Sequence, residues 1–151
     1  MRIFKNLAAA ACALMAVLFF VTATPAQAQA QEPHYLRALS NLRTARDYVQ
    51  SDQRGIYGSE RRHISDEIDI AVAEIKHAAW DDGKNTRYAP PAGMVDPWFP
   101  LREAQKALGE AHRNVAQGVY TPQNTGLRDR ALQHIEEAER TVSNVIAAKH
   151  Q

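Results

Sequence analysis

Between Ile64 and Ala78 the residues Ile64, Ile68, Ala71, Ile75 and Ala78 follow one another at steps of four, three, four and three. At about 3.6 residues per turn, a helix brings such positions onto one stripe, whereas a strand would need strict alternation. The segment therefore reads as an amphipathic helix, with Arg62, Asp66, Ala73 and Lys76 off the apolar stripe. Gly55 and Gly58 interrupt the chain before it, and the Ser59 hydroxyl can cap its first turn.

Three other stretches repeat the pattern. After Pro33, the residues Tyr35, Leu36, Leu39, Leu42, Ala45 and Val49 predict a first helix ending near Ser51 and Asp52. Asp96 and Pro97 form an N-cap and first-turn pair for a third helix, carrying Leu101, Ala104, Leu108, Ala111 and Val115 and ending at Gly118; Pro100 falls within its first turn. A turn over 120–126, with Pro122 and Asn124, leads to a fourth helix bearing Leu127, Ala131, Ile135, Ala138, Val142 and Val145. Four such helices without an alternating segment predict an all-α fold, an antiparallel four-helix bundle with a long loop between helices two and three. The stripes are rich in alanine, which permits close approach but gives each contact little area.

The first thirty residues do not belong to that bundle. Arg2 and Lys5 precede an apolar run from Leu7 to Val21, and Pro25 leads into Ala26-Gln27-Ala28 and Ala28-Gln29-Ala30. A charged start, an apolar centre and a small-x-small site make a secretory signal peptide over 1–28, cleaved after Ala28 or Ala30. The run is too short to span a bilayer, which needs about 20 apolar residues. Residues 31–151 then form a single exported domain, periplasmic or secreted, with no membrane span after cleavage. Cys12, the one cysteine, leaves with the signal, so the mature chain has no disulfide, thiol nucleophile or thiolate metal site. Without Arg2 and Lys5 the 18 basic residues become 16 against 17 acidic ones, a net charge of −1 with histidine neutral. Such a chain has no general electrostatic pull on nucleic acid.

No nucleophile elbow, phosphate-cradling glycine loop or haem attachment motif is present, so the sequence predicts no enzyme and requires no cofactor. Two regions can carry binding. On helix two, His63, Glu67, Ile70, Glu74 and His77 form a second stripe about 100° from the isoleucines. Imidazole and carboxylate one turn apart can share a divalent metal such as zinc or copper, which makes His63, Glu67, Glu74 and His77 a candidate metal set. Glu60 with His63, and Glu74 with His77, have the local spacing of di-iron bundles, but both pairs lie on one helix, and helix four offers only His134 before Glu137, the reverse order.

The other region is the long loop over 81–96, which contains Gly83, Pro90, Pro91 and Gly93. Loops beyond about 12 to 15 residues are uncommon in compact domains and are often functional. Gly83 reads as the left-handed cap of helix two, and acids at that helix end need an offsetting partner. Large aromatics bracket the loop, so Trp80, Trp98 and Phe99 are expected to fold back over one ordered bundle end. There Trp80, Asp81, Asp82, Lys84, Asn85, Trp98 and Phe99 are expected to face a partner, an unknown protein or small ligand.

Several phrases carry a resemblance: Pro33-His34-Tyr35-Leu36, Glu67-Ile68-Asp69, Asp81-Asp82-Gly83-Lys84-Asn85 and Gly126-Leu127-Arg128 with His134-Ile135. With them the mature chain resembles an uncharacterised group of small exported bacterial helical-bundle proteins of unknown function. The resemblance implies a bacterial envelope setting and a bundle fold, and brings no activity or site. The sequence points first to a non-enzymatic binding or interaction protein, and second to a metal-binding bundle.

Overall fold

The computed structural model describes residues 33–52, 56–86 and 99–149; the signal peptide, Asp96, Pro97 and Trp98 lie outside the described residues. Four helices account for most of them: α1 (Pro33–Ser51), α2 (Gly58–Asp81), α3 (Pro100–Gln117) and α4 (Thr125–Ala148), with a 3-10 turn over Pro122–Asn124. No strand occurs among the described residues. None of their helices is long and apolar enough to cross a membrane.

Burial follows the predicted stripes. Ile64, Ile68, Ala71, Ile75 and Ala78 of α2 are buried, as are Leu101, Ala104, Leu108, Ala111 and Val115 of α3 and the whole predicted stripe of α4. On α1 the stripe is wider than the spacing suggested, because Ala38 and Tyr48 join it, and Ile56 closes the core from the segment before α2. Alanine at the seam positions lets the helices approach closely, and Gly109 carries this further: a Cβ there would stand 3.4 Å from the Glu139 carboxylate of α4.

The helices form a ring. α1 packs chiefly on α3 and α2 on α4, while α3–α4 and α1–α2 complete it. Register is readable from side-chain pairs. Gln105 meets Ser143 (2.8 Å), Gly109 faces Glu139, and His112 meets Glu136 (3.1 Å) along the α3–α4 seam. Across the other seam His63 meets Glu137, Glu67 meets His134 and Glu74 meets Arg130. One end of the ring gathers the start of α1, the end of α2 and the α3–α4 turn, joined through Asp82. At the other end Asp52, following α1, receives Lys149 Nζ at 3.2 Å, and its carbonyl accepts from Arg61 of α2.

Three helix starts differ from the sequence expectation. α2 opens at Gly58 with Tyr57 as N-cap, not at Ser59; the Glu60 carboxylate reaches back to accept the Tyr57 N–H at 3.3 Å, so the third helical residue supplies the acceptor. α3 opens at Pro100 rather than beside Asp96 and Pro97, since a proline at the first helical position gives up an N–H that has no helical partner anyway. α4 begins at Thr125, so Gly126 is helical, and the Thr125 hydroxyl donates back to the Pro122 carbonyl at 3.0 Å.

Candidate functional site

The end of α2 closes as predicted. Gly83 takes φ +67°, its N–H donates to the Trp80 carbonyl (3.0 Å), and the Lys84 N–H donates to that of Ala79 (2.7 Å). This pair of bonds is a Schellman cap, which needs a residue at ease in the left-handed region. Replacing Gly83 by alanine is expected to cost about 1 kcal/mol in thermal unfolding, although the space there is open.

Asp82, the residue just before, is the hub of this end. Its Oδ2 accepts from the Tyr35 hydroxyl at 2.5 Å, and its Oδ1 accepts from Thr121 Oγ1 at 2.9 Å and Asn124 Nδ2 at 2.8 Å. Asn124 also donates to the Ala78 carbonyl at 3.2 Å, satisfying an acceptor at the helix end. Burial works to raise the Asp82 pKa, but the three hydrogen bonds and the charge of Lys84 outweigh it and hold the carboxyl below its usual range. These partners supply the offset that an acid at a helix C-terminus requires. Burial, then the Asp82 bond and charge, push the Tyr35 hydroxyl far above an ordinary tyrosine. Tyr120 packs edge-on against Tyr35, with ring centres 5.1 Å apart, and burial pushes its own pKa up to about 12. Gly118 makes room for it, since a Cβ there would come within 2.8 Å of the Tyr120 ring.

Two of the aromatics expected to plug this end, Trp80 and Phe99, do not; Trp98 lies outside the described residues. Trp80 is 79% exposed and Phe99 59% exposed, so neither supplies the packing expected of it. They also belong to different ends: Trp80 lies beside the Asp82 hub, whereas Phe99 precedes the end of α3 that faces the last turns of α4. Phe99 carries the Arg102 guanidinium 5.6 Å from its ring centre. Hence the expected single patch divides, with Trp80, Asp81, Asp82, Lys84 and Asn85 together and Phe99 apart.

The helix-two stripe divides as well. His63 Nε2 lies 3.3 Å from Glu137 Oε1, and its Nδ1 lies 3.8 Å from Glu67 Oε1. Glu67 Oε2 in turn meets His134 Nδ1 at 2.6 Å. The result is a chain of alternating imidazole and carboxylate, Glu137-His63-Glu67-His134, across the α2–α4 seam. Glu74 instead takes Arg130 in a two-pronged ion pair, 2.9 Å at each prong, and His77 turns to Asp81 at 3.6 Å. Arg130's hydrogen bonds lower the Glu74 pKa against burial, helped by the charges of Arg130, His134 and His77. Hydrogen bonds from Arg140 and then His63 lower that of Glu137. The predicted quartet His63, Glu67, Glu74 and His77 is therefore not one cluster; His134 and Glu137 of α4 replace its second half. Among the described residues no three histidine, cysteine or acidic side chains are grouped to hold a metal ion. Comparison with protein families, curated proteins and solved structures finds no match to this chain.

Proposed function

We propose that the chain is a small exported bundle of antiparallel helices that acts by binding a partner rather than by catalysis. Export rests on the N-terminal signal pattern, and places the mature protein in the periplasm or outside the cell. N-terminal sequencing of the exported product is expected to begin at Gln29 or Gln31; an intact Met1 start on the exported protein would overturn export by cleavage.

The observation that carries the binding reading is Trp80, 79% exposed on an end made rigid by the Gly83 cap and the Asp82 hub. A large apolar ring held in water by a fixed backbone costs little ordering on association, and tryptophan is prominent among residues that dominate interfaces. Trp80→Ala is expected to change stability by less than about 0.5 kcal/mol, because the ring is already in water. The same substitution is expected to weaken a partner cross-linked to the wild-type protein by at least about tenfold, measured with both components purified. Equal affinity of wild type and variant would end this reading.

A divalent metal, zinc or copper, is the second reading: no three of these side chains converge on one point as they stand, but His63, Glu67, His134 and Glu137 interlock across two helices. Binding would require the carboxylates to part from the imidazoles, exchanging hydrogen bonds for metal bonds. Equilibrium dialysis is expected to show about one equivalent of zinc or copper, abolished by joint His63→Ala and His134→Ala. No stoichiometric uptake, or uptake indifferent to those substitutions, would remove it.

A further inference from the structure

The α1–α3 seam opens on its outer side into a groove of about 630 Å³ near the start of α1 and the end of α3, within the usual range of small-molecule sites. Leu36 gives it an apolar patch, and Arg37 and Arg113 contribute a guanidinium from each helix. These cations are poorly explained by the stability of the bundle. Arg37 stands close to the positive end of the α1 dipole, in a helix with no acid in its first turn, and has no ion-pair partner among the described residues. Arg113 makes one long ion pair, to Glu110 of its own helix at 4.0 Å, with 65% of the arginine side chain exposed, and its charge also acts on Glu139 of α4. The groove wall also carries the Glu110 carboxylate and the last turn of α3, whose dipole end offsets that of the α1 N-terminus, so two guanidinium forks against one carboxylate leave the concavity with a net positive charge.

We propose that this groove binds a small organic anion bearing a carboxylate or phosphate. Guanidinium forks match the paired oxygens of either group. The side-chain amides of Asn41 and Gln117, also on the wall, can donate to or accept from hydroxyl or amide groups on the rest of the ligand. Asn114 donates its Nδ2 to the Glu110 carbonyl at 2.8 Å, which fixes its amide and leaves its side-chain oxygen as an acceptor. This site is separate from the Trp80 surface and from the α2–α4 imidazole chain, so it stands or falls independently of both.

The test is isothermal titration of the protein purified from expression of the full-length chain, with citrate, inorganic phosphate and neutral glycerol as probes. Saturable binding of citrate or phosphate with 1:1 stoichiometry is expected, and none of glycerol. Citrate alone would assign carboxylate chemistry, and phosphate alone would assign phosphate. Arg37→Gln and Arg113→Gln are each expected to weaken the bound anion at least tenfold, and Asn41→Asp to weaken it by adding a negative charge to the wall. Arg130→Gln, on the opposite seam, should leave it unchanged. Both groove arginines are solvent-exposed, and matching helical circular dichroism and melting would show that the variants remain folded. No saturable binding of either anion, or equal loss on Arg130→Gln, would overturn the proposal.

Discussion

Replacing Ile68 or Ile75 by alanine is expected to cost about 2 to 5 kcal/mol, whereas Lys76→Ala should change stability by less than about 0.5 kcal/mol. Ile68 has no exposed surface and Ile75 only 1%, while Lys76 is exposed. Truncation removes the transfer free energy of three carbons and leaves a cavity whose cost depends on how far the surroundings collapse. Here collapse is hindered. The buried stripes of α2 and α4 include Ala71, Ala78, Ala131 and Ala138, which have no rotamer with which to fill a void, so filling falls to the few larger residues such as Ile64 and Ile135. The cost should therefore fall within the range and not below it. Urea unfolding followed by circular dichroism at constant slope measures it, and equal effects at 68 and 76 would show that the face assignment is wrong.

The core was legible because helical periodicity is local: five residues on α2 define their own inward direction. The same arithmetic, carried further, also contained the fate of Trp80. Two residues beyond Ala78 is about 200° of rotation, which turns Trp80 away from the stripe, while four residues beyond gives Asp82, which continues it. The expectation that Trp80 covers the bundle end rested on its size, and residue position prevailed. On the α2–α4 seam, His63, Glu67 and Glu74 each precede a buried isoleucine by one residue, and Arg130, His134 and Glu137 each precede a buried residue of α4. Residues flanking two core stripes that face each other must meet at the seam, which is why His63, Glu67 and Glu74 find partners on α4, whereas His77 turns to Asp81 of its own helix. What no local pattern contains is which helices are neighbours. Tyr35, Asp82, Thr121 and Asn124 are far apart in sequence, and their convergence follows only from the ring order of the helices. The α1–α3 groove is hidden for the same reason, since its wall is shared by residues near 37 and near 113.

Asp82→Ala is expected to cost about 2 to 3 kcal/mol, a large effect for a partly exposed residue, because the loss lies in what its partners are left without. Tyr35 and Asn124 are buried residues, with exposures of 4% and 2%. A buried donor stripped of its acceptor costs about 1 to 3 kcal/mol, and bonds to a charged acceptor are the stronger kind. Asp82→Asn should cost less, because one amide oxygen can still accept from Thr121 or Asn124 while the NH2 can donate to the Tyr35 oxygen. Tyr35→Phe, which removes the donor and leaves the carboxylate its other bonds, should cost about 1 kcal/mol. The hub also sets an acid response. Its carboxyl titrates below its unfolded value of about 3.9, so between the two values the unfolded chain binds more protons than the folded one. The stabilisation is therefore complete above about pH 4 and declines as the pH falls through the folded value. Glu74 and Glu137, held down by Arg130 and Arg140, act with the same sign, whereas Glu139, raised mainly by burial, acts with the opposite one. Wild type should consequently lose more stability between pH 5 and pH 3 than Asp82→Asn does, and the difference between the two profiles belongs to the hub alone. Parallel profiles, measured as urea midpoints across that range, would show that Asp82 does not hold the end of the bundle together as a carboxylate.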